Sequence, residues 1–127
     1  MSPHVLVVDD EAPLRQVIIR NLEIRGYEVV GAGTAMEALD ALAGGTFDLM
    51  LLDINLPDLT GWELLRRLTP EVRKRVPSVV FSASPLAARR VEELRPAGVL
   101  LKPFPMDALL RLVAQVTGNV AKEIEHA

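Results

Sequence analysis

Five short runs of apolar and β-branched residues punctuate the chain, separated by longer segments whose apolar residues recur every three or four positions. The first run, HVLVV from His4 to Val8, is continuous rather than alternating, the pattern of a strand covered on both faces. Pro13 then opens a helix with Leu14, Val17, Ile18 and Leu22 on one face and Gly26 at its end. YEVVGA reads as a second strand. Thr34 and Glu37 form a capping box, in which hydroxyl and carboxylate satisfy exposed backbone donors, and Ala38, Leu39 and Leu42 carry the helix to Gly44 and Gly45.

FDLMLLD is a third strand. Thr60 and Glu63 repeat the capping box ahead of a helix bearing Leu64, Leu65 and Leu68, with Pro70 just beyond it. PSVVFSAS is a fourth strand, Pro85 to Leu94 a short helix, and GVLLK a fifth strand. Pro105 starts a last helix with Leu109, Leu110, Val113 and Val116 facing inward. A β-α order repeated five times predicts parallel pairing and right-handed crossovers. The expected architecture is a doubly wound (βα)5 α/β fold, with a five-stranded parallel sheet between two helix layers.

The chain has 127 residues, enough for one domain with one good core. Helical spacing continues from Leu109, Val113 and Val116 to Val120 and Ile124, interrupted by Gly118. Residues 1–118 are therefore read as the domain. Residues 119–127 are read as a tail or the start of a linker, either frayed or a helix running toward a dimer partner or an output domain.

Composition removes several classes of function. Half the residues are hydrophobic and net charge is −3, so nothing in the balance favours direct nucleic-acid binding. The absence of cysteine excludes disulfides, thiolate metal sites and cysteine nucleophiles. No apolar run is long enough to span a bilayer, and MSPHVLVVDD lacks the basic start and long apolar core of a signal peptide. A cytoplasmic protein is the expectation. No G-x-G-x-x-G or P-loop sequence follows the first strand, which argues against dinucleotide and nucleotide-triphosphate binding.

In an open α/β sheet, ligands bind outside the carboxyl ends of the strands, where strand order reverses. The first strand ends at Asp9 and Asp10, the third at Asp53, the fourth at Ser82 and the fifth at Lys102. Any one of these alone reads as a polar loop residue; all five on one edge point to a site. Three close carboxylates repel, and one lysine does not balance them. Oxygen ligands without nearby His or Cys suit Mg²⁺, which takes one or two carboxylates and a phosphate oxygen. Mg²⁺, a lysine and a hydroxyl together neutralise a phosphoryl group in transfer, and a carboxylate can be the covalent acceptor. Asp53, at the end of the buried run LMLL, is the candidate nucleophile. An aspartate-nucleophile phosphatase would want a second Asp two residues later, and that position is Asn55.

These residues resemble those of the receiver domain of two-component response regulators, from about His4 to Val116. LVVDDE resembles that family's acidic pair, and LLDINLPDLTG its phosphoacceptor segment, with Pro57 and Gly61 at the expected offsets. VVFSAS resembles the segment carrying the switch hydroxyl, and LLKPF the Lys-Pro-Phe segment. The resemblance implies a flavodoxin-like fold and a phosphoryl group passed to Asp53 from a phosphohistidine on a sensor histidine kinase or histidine phosphotransferase. It implies Mg²⁺ held by Asp10 and Asp53 directly, by Asp9 through water and by the Asn55 backbone carbonyl. It also implies Lys102 and Ser82 drawing toward the new charge, and a cis peptide before Pro103. Activity would be limited to self-catalysed phosphorylation and slow dephosphorylation, with Asn55 and Ser84 placed to tune the lifetime. The signal would move a face built by the fourth helix, fifth strand and fifth helix, through which a dimer or a downstream target would bind. Two departures stand out: Val99 occupies a position usually aromatic, and the segment Pro85 to Gly98 is short and holds Pro96. They are what an interaction module independent of phosphorylation would carry, and that is the alternative reading. His4 and His126 are expected at the surface, Trp62 over the start of the third helix, and the pairs Arg66–Arg67 and Arg89–Arg90 on solvated helix faces.

Overall fold

The computed structural model describes residues 2–119. In chain order the elements are β1 (His4–Val8), α1 (Ala12–Ile24), β2 (Glu28–Ala32), α2 (Ala35–Gly44), β3 (Leu49–Asp53) and α3 (Gly61–Arg67). There follow α4 (Pro70–Arg75), β4 (Ser78–Ser82), α5 (Ala88–Leu94), β5 (Gly98–Leu101) and α6 (Met106–Thr117). The five strands pair in parallel in the order β2-β1-β3-β4-β5. Strand order reverses between β1 and β3, so the mouth of the sheet opens where Asp9 and Asp53 end their strands.

The continuous apolar runs are buried as their pattern requires: every residue of β3 and β4 is buried, whereas the edge strands β2 and β5 are partly exposed. Successive residues of a strand point to opposite faces. Leu6, Val8, Met50, Leu52 and Val80 accordingly pack with α2 and α3 residues such as Ala38, Trp62 and Leu64. Val5, Val7, Leu49, Leu51, Val79 and Phe81 pack with Ile18, Leu22, Leu109 and Val113 of α1 and α6. Trp62 is buried in the first of these cores, over the start of α3.

Both predicted caps form. The Thr34 hydroxyl accepts from the Glu37 N–H at 3.1 Å, and Thr60 from Glu63 at 3.1 Å. The returning Glu37 carboxylate accepts from Gly33 N–H at 2.7 Å, one residue before the expected Thr34 donor.

Two helix expectations are corrected. Val17 is 49% exposed. The buried face of α1 steps by four residues through Leu14, Ile18 and Leu22, and that row drifts toward Ile19 and away from Val17. A sixth helix, α4, lies between α3 and β4. Pro70 does not simply follow α3: it occupies the first turn of α4, and the Thr69 hydroxyl caps that turn by accepting from Val72 N–H at 3.2 Å. His4 is exposed, and its Nε2 lies against the Glu28 carboxylate. The helical spacing through Val120 and Ile124, and His126, lie outside the described residues. Among the described residues no helix is long and apolar enough to cross a membrane.

Candidate functional site

Parallel ladders fix the backbone at the mouth of the sheet. Asp53 pairs in register with Phe81, and Ser82 with Leu101. The ladder continues past the strands through Asp9 N–H to Ala32 O at 3.0 Å, Ile54 N–H to Phe81 O at 3.0 Å, and Lys102 N–H to Ser82 O at 2.7 Å. The side chains at these strand ends are therefore carried on rigid backbone. The start of α3 presses against the same point. A Cβ added at Gly61 would lie 2.9 Å from the Asp53 carbonyl oxygen, so only glycine fits there without displacing backbone.

The expected acidic residues come together. Asp9 and Asp53 are buried and Asp10 is exposed, and one carboxylate oxygen from each can lie within 4.8 Å of the others. The Lys102 ammonium spans the cluster, donating to Asp9 Oδ2 at 3.0 Å, Asp53 Oδ2 at 3.0 Å and Glu11 Oε1 at 2.8 Å. The second oxygen of each buried carboxylate is also held: Asp9 Oδ1 accepts from Glu11 N–H at 2.9 Å, and Asp53 Oδ1 from Asn55 N–H at 3.0 Å.

Burial raises the Asp9 carboxyl above its ordinary range, and the bonds from Glu11 N–H and Lys102 only partly offset it. Burial works in the lowering direction on Lys102, but hydrogen bonds to Glu11, Asp9 and Asp53 outweigh it, and the net shift is upward. Lys102 is thus held as a cation among acids that repel one another.

The donor set fits a hard divalent ion. Three carboxylates from two strand ends converge, one of them open to solvent, with no nitrogen or sulfur ligand among them. Asn55 is exposed on the loop after β3, and its N–H already serves Asp53.

Ser82 is buried at the end of β4, but its hydroxyl is not directed at the acids. It donates to the Ser84 carbonyl at 2.5 Å and accepts from Ser84 N–H at 3.2 Å, a local side-chain turn in the β4–α5 loop. The Lys102–Pro103 peptide is cis, as the resemblance implied.

Three residues near the mouth carry roles that strand-end reading did not assign. Glu11 is the third acid on Lys102. Arg15 of α1 donates from Nη1 to the Asp9 carbonyl at 2.7 Å. Asp58, on the loop after β3, accepts from Ala35 N–H at 2.9 Å and Met36 N–H at 3.0 Å, so it caps α2 from 22 or more residues away. Of these, Glu11 had a sequence signal in the acidic run Asp9–Glu11; the other two depend on loop geometry that no local pattern encodes.

Comparison with known proteins agrees with this geometry. The family model for the response regulator receiver domain matches residues 5–114. The chain is 39% identical over 121 residues to the transcriptional regulatory protein KdpE of Mycobacterium tuberculosis, covering 92% of this chain and 52% of that protein. It is 37% identical over 113 residues to the response regulator MprA of Mycobacterium bovis, covering 87% of this chain and 48% of that one. The chain thus spans about half the length of these curated relatives. Among solved structures, the chemotaxis response regulator CheY4 of Vibrio cholerae superposes with a TM-score of 0.84 at 28% identity, over 91% of this chain and 99% of that one. The response regulator TrrA of Thermotoga maritima, in complex with Mg²⁺ and BeF, gives 0.76 at 28% identity, over 91% and 99%.

Proposed function

The chain belongs to the response regulator receiver domain family, matched over residues 5–114, and from that premise we propose that Asp53 accepts a phosphoryl group from a phosphohistidine on a sensor histidine kinase or histidine phosphotransferase. The observation that carries this reading is the triple contact of Lys102 with Asp9, Glu11 and Asp53 at the mouth of the sheet.

In the transfer, an Asp53 carboxylate oxygen attacks phosphorus, the bond from phosphorus to the donor imidazole nitrogen breaks, and the imidazole leaves with that electron pair. Lys102 stands 3.0 Å from Asp53 Oδ2, placed to meet the oxygens that gain charge. Asn55 N–H on Oδ1 and Lys102 on Oδ2 fix the plane of the Asp53 carboxylate. Asp9, Asp10 and Asp53, with the Asn55 carbonyl, would hold Mg²⁺, which supplies further neutralisation of the phosphoryl oxygens. The Ser82 hydroxyl reaches the phosphoryl group only by leaving Ser84, so its capture rearranges the β4–α5 loop. Asn55 and Ser84 are placed to tune the rate of hydrolysis that resets Asp53.

The readout face is α5–β5–α6. On β5, Val99 is 39% and Leu101 48% exposed, an apolar edge suited to a downstream target or a second copy of the domain. The same exposed Val99, where the family usually has a ring, favours the second reading, an interaction module that works without phosphorylation.

Labelling with radioactive acetyl phosphate tests the proposal. Wild type should label only with Mg²⁺, and Asp53→Asn should not label; equal labelling of the two proteins overturns the assignment. Beryllofluoride with Mg²⁺ separates the two readings: the first expects shifts in the amide spectrum of α5 and β5, and the second expects none.

A further inference from the structure

Basic residues are segregated in this chain. Eight of its fourteen Lys and Arg residues fall between positions 66 and 95, against three of its seventeen Asp and Glu. The chain as a whole is acidic at −3, so this segment forms a positive island on a negative domain. Not all of those cations are available. Arg66 is paired with Glu93, and Arg67 lies near Glu63. Arg73, Lys74 and Arg95 form no ion pair among the described residues, and all three line one cavity of about 250 Å³. The cavity sits between the end of α4, the start of β4 and the turn from α5 into β5. That is the amino-terminal edge of the strands, opposite Asp53.

Three further features meet at the cavity. Arg73 Nε is sealed from solvent and has no hydrogen-bond partner. Buried donors without acceptors are rare because nothing offsets their lost hydration. Ser78 is only 6% exposed and lines the same cavity. Arg95 adopts left-handed backbone geometry, φ 47° and ψ 59°, at the end of α5. Glycine is the usual residue there, because a side chain disfavours that conformation. The α4 dipole accounts for cations in its last turn, but not for a buried orphan donor on an arginine that lines the space. No carboxylate lines it, while Leu65 and Leu94 give it an apolar side.

We propose that this cavity is an anion site for a small organic phosphate, with the phosphate oxygens on Arg73, Lys74, Arg95 and the Ser78 hydroxyl, and the organic part against Leu65 and Leu94. Arginine suits phosphate oxygens through paired N–H donors, and a hydroxyl adds a directional one.

The experiment is a titration of the full chain, followed by amide spectra at Ser78, Arg95 and Ala97. EDTA is present so that no metal-dependent binding occurs at Asp53. The probes are inorganic phosphate and glycerol phosphate, with sodium chloride at matched ionic strength as reference. Saturable shifts at these three amides are expected with both phosphates, tighter for glycerol phosphate, and none with chloride. Lys74→Gln and Arg95→Gly should each weaken binding at least tenfold, on the order of the loss of one charge-assisted bond. Arg95→Gly suits the test because glycine keeps the left-handed turn, so loss of binding there is not loss of fold. Shifts that stay linear, that chloride reproduces, or that survive both substitutions overturn the site. Tighter binding of inorganic phosphate than of glycerol phosphate overturns the organic part of the assignment.

Discussion

Lys102 holds its Nζ 3.0 Å from Asp53 Oδ2, a contact between residues 49 positions apart that joins the ends of β3 and β5 across the mouth of the sheet. The same ammonium reaches buried Asp9. Lys102 and a divalent ion therefore compete for the same two carboxylates. Lys102→Met should lower stability without metal by about 1–3 kcal/mol, because it strands a buried acid, and Mg²⁺ should then stabilise the variant more than it does wild type. The raised Lys102 pKa adds a pH signature. Its stabilising contribution is complete below 10.5 and is lost as pH climbs through the higher folded value, so the variant should lack that alkaline loss. Urea denaturation across pH, with and without Mg²⁺, measures both effects.

Asp9 gives the opposite sign of metal-free stability. Burial raises its carboxyl, so the folded state binds the proton more tightly than the unfolded state does. From 3.8 upward through the folded value, rising pH then costs stability through this group. Asp9→Asn should raise the melting temperature at neutral pH without Mg²⁺, and the gain should shrink to nothing below 3.8. It should also abolish stabilisation by Mg²⁺. Thermal melts of the two proteins over this acid range decide it, and a gain that persists at the lowest pH contradicts the burial argument.

Asp58 has the reverse linkage. Backbone N–H groups of Ala35 and Met36 hold its carboxyl below the usual range. Its contribution is present above 3.8 and is lost as pH falls through the lower folded value. Asp58→Ala should destabilise at neutral pH and converge with wild type only in strong acid. Hydrogen exchange in the first turn of α2, at Ala35 and Met36, should quicken more than exchange in α6.

Gly61 sits where a Cβ would come 2.9 Å from the Asp53 carbonyl and 3.0 Å from Ile54 Cα. Both obstacles are backbone, so they cannot swing aside as a flexible side chain would. Gly61→Ala should cost about 1–3 kcal/mol and slow acetyl phosphate labelling of Asp53 in the folded fraction. An alanine variant that labels at the wild-type rate would show that the α3 start does not position Asp53.

What could be read ahead of the structure follows from the range of the interactions. β1, β3 and β4 are continuous apolar runs because both faces are covered, and that condition is written locally; so are the caps at Thr34 and Thr60. The convergence of the candidate residues was legible because a parallel sheet sends every strand end to one edge, which gathers the backbone of Asp9, Asp10, Asp53, Ser82 and Lys102 without any knowledge of side-chain contacts. Helix α4 is not legible because Pro70 reads equally well as a stop after α3 or as the first turn of another helix. The exposure of Val17 is not legible because Leu14, Val17, Ile18, Ile19 and Leu22 compete for one stripe, and only packing against the sheet selects Ile19 over it. The Asp58 cap and the Arg15 contact join loop and helix across the fold, where local patterns carry no information. The orientation of the Ser82 hydroxyl is a choice between rotamers that the residue type does not make.

That orientation bears on how charge at Asp53 would reach α5. In this structure the Ser82 hydroxyl is occupied by Ser84, both donating and accepting. A phosphoryl group on Asp53 offers a stronger, charged acceptor, and taking it releases Ser84, whose loop leads into α5. Lys102 needs no such exchange, since it already touches Asp53. Ser82→Ala should therefore separate capture from transmission. With beryllofluoride and Mg²⁺, amides beside Asp53 and Lys102 should shift as in wild type, while shifts across residues 83–87 and in α5 should fall to a small fraction of theirs. Amide spectra of both proteins provide the measurement. Equal shifts in α5 for the two proteins would mean that the signal leaves through Lys102 and β5 instead.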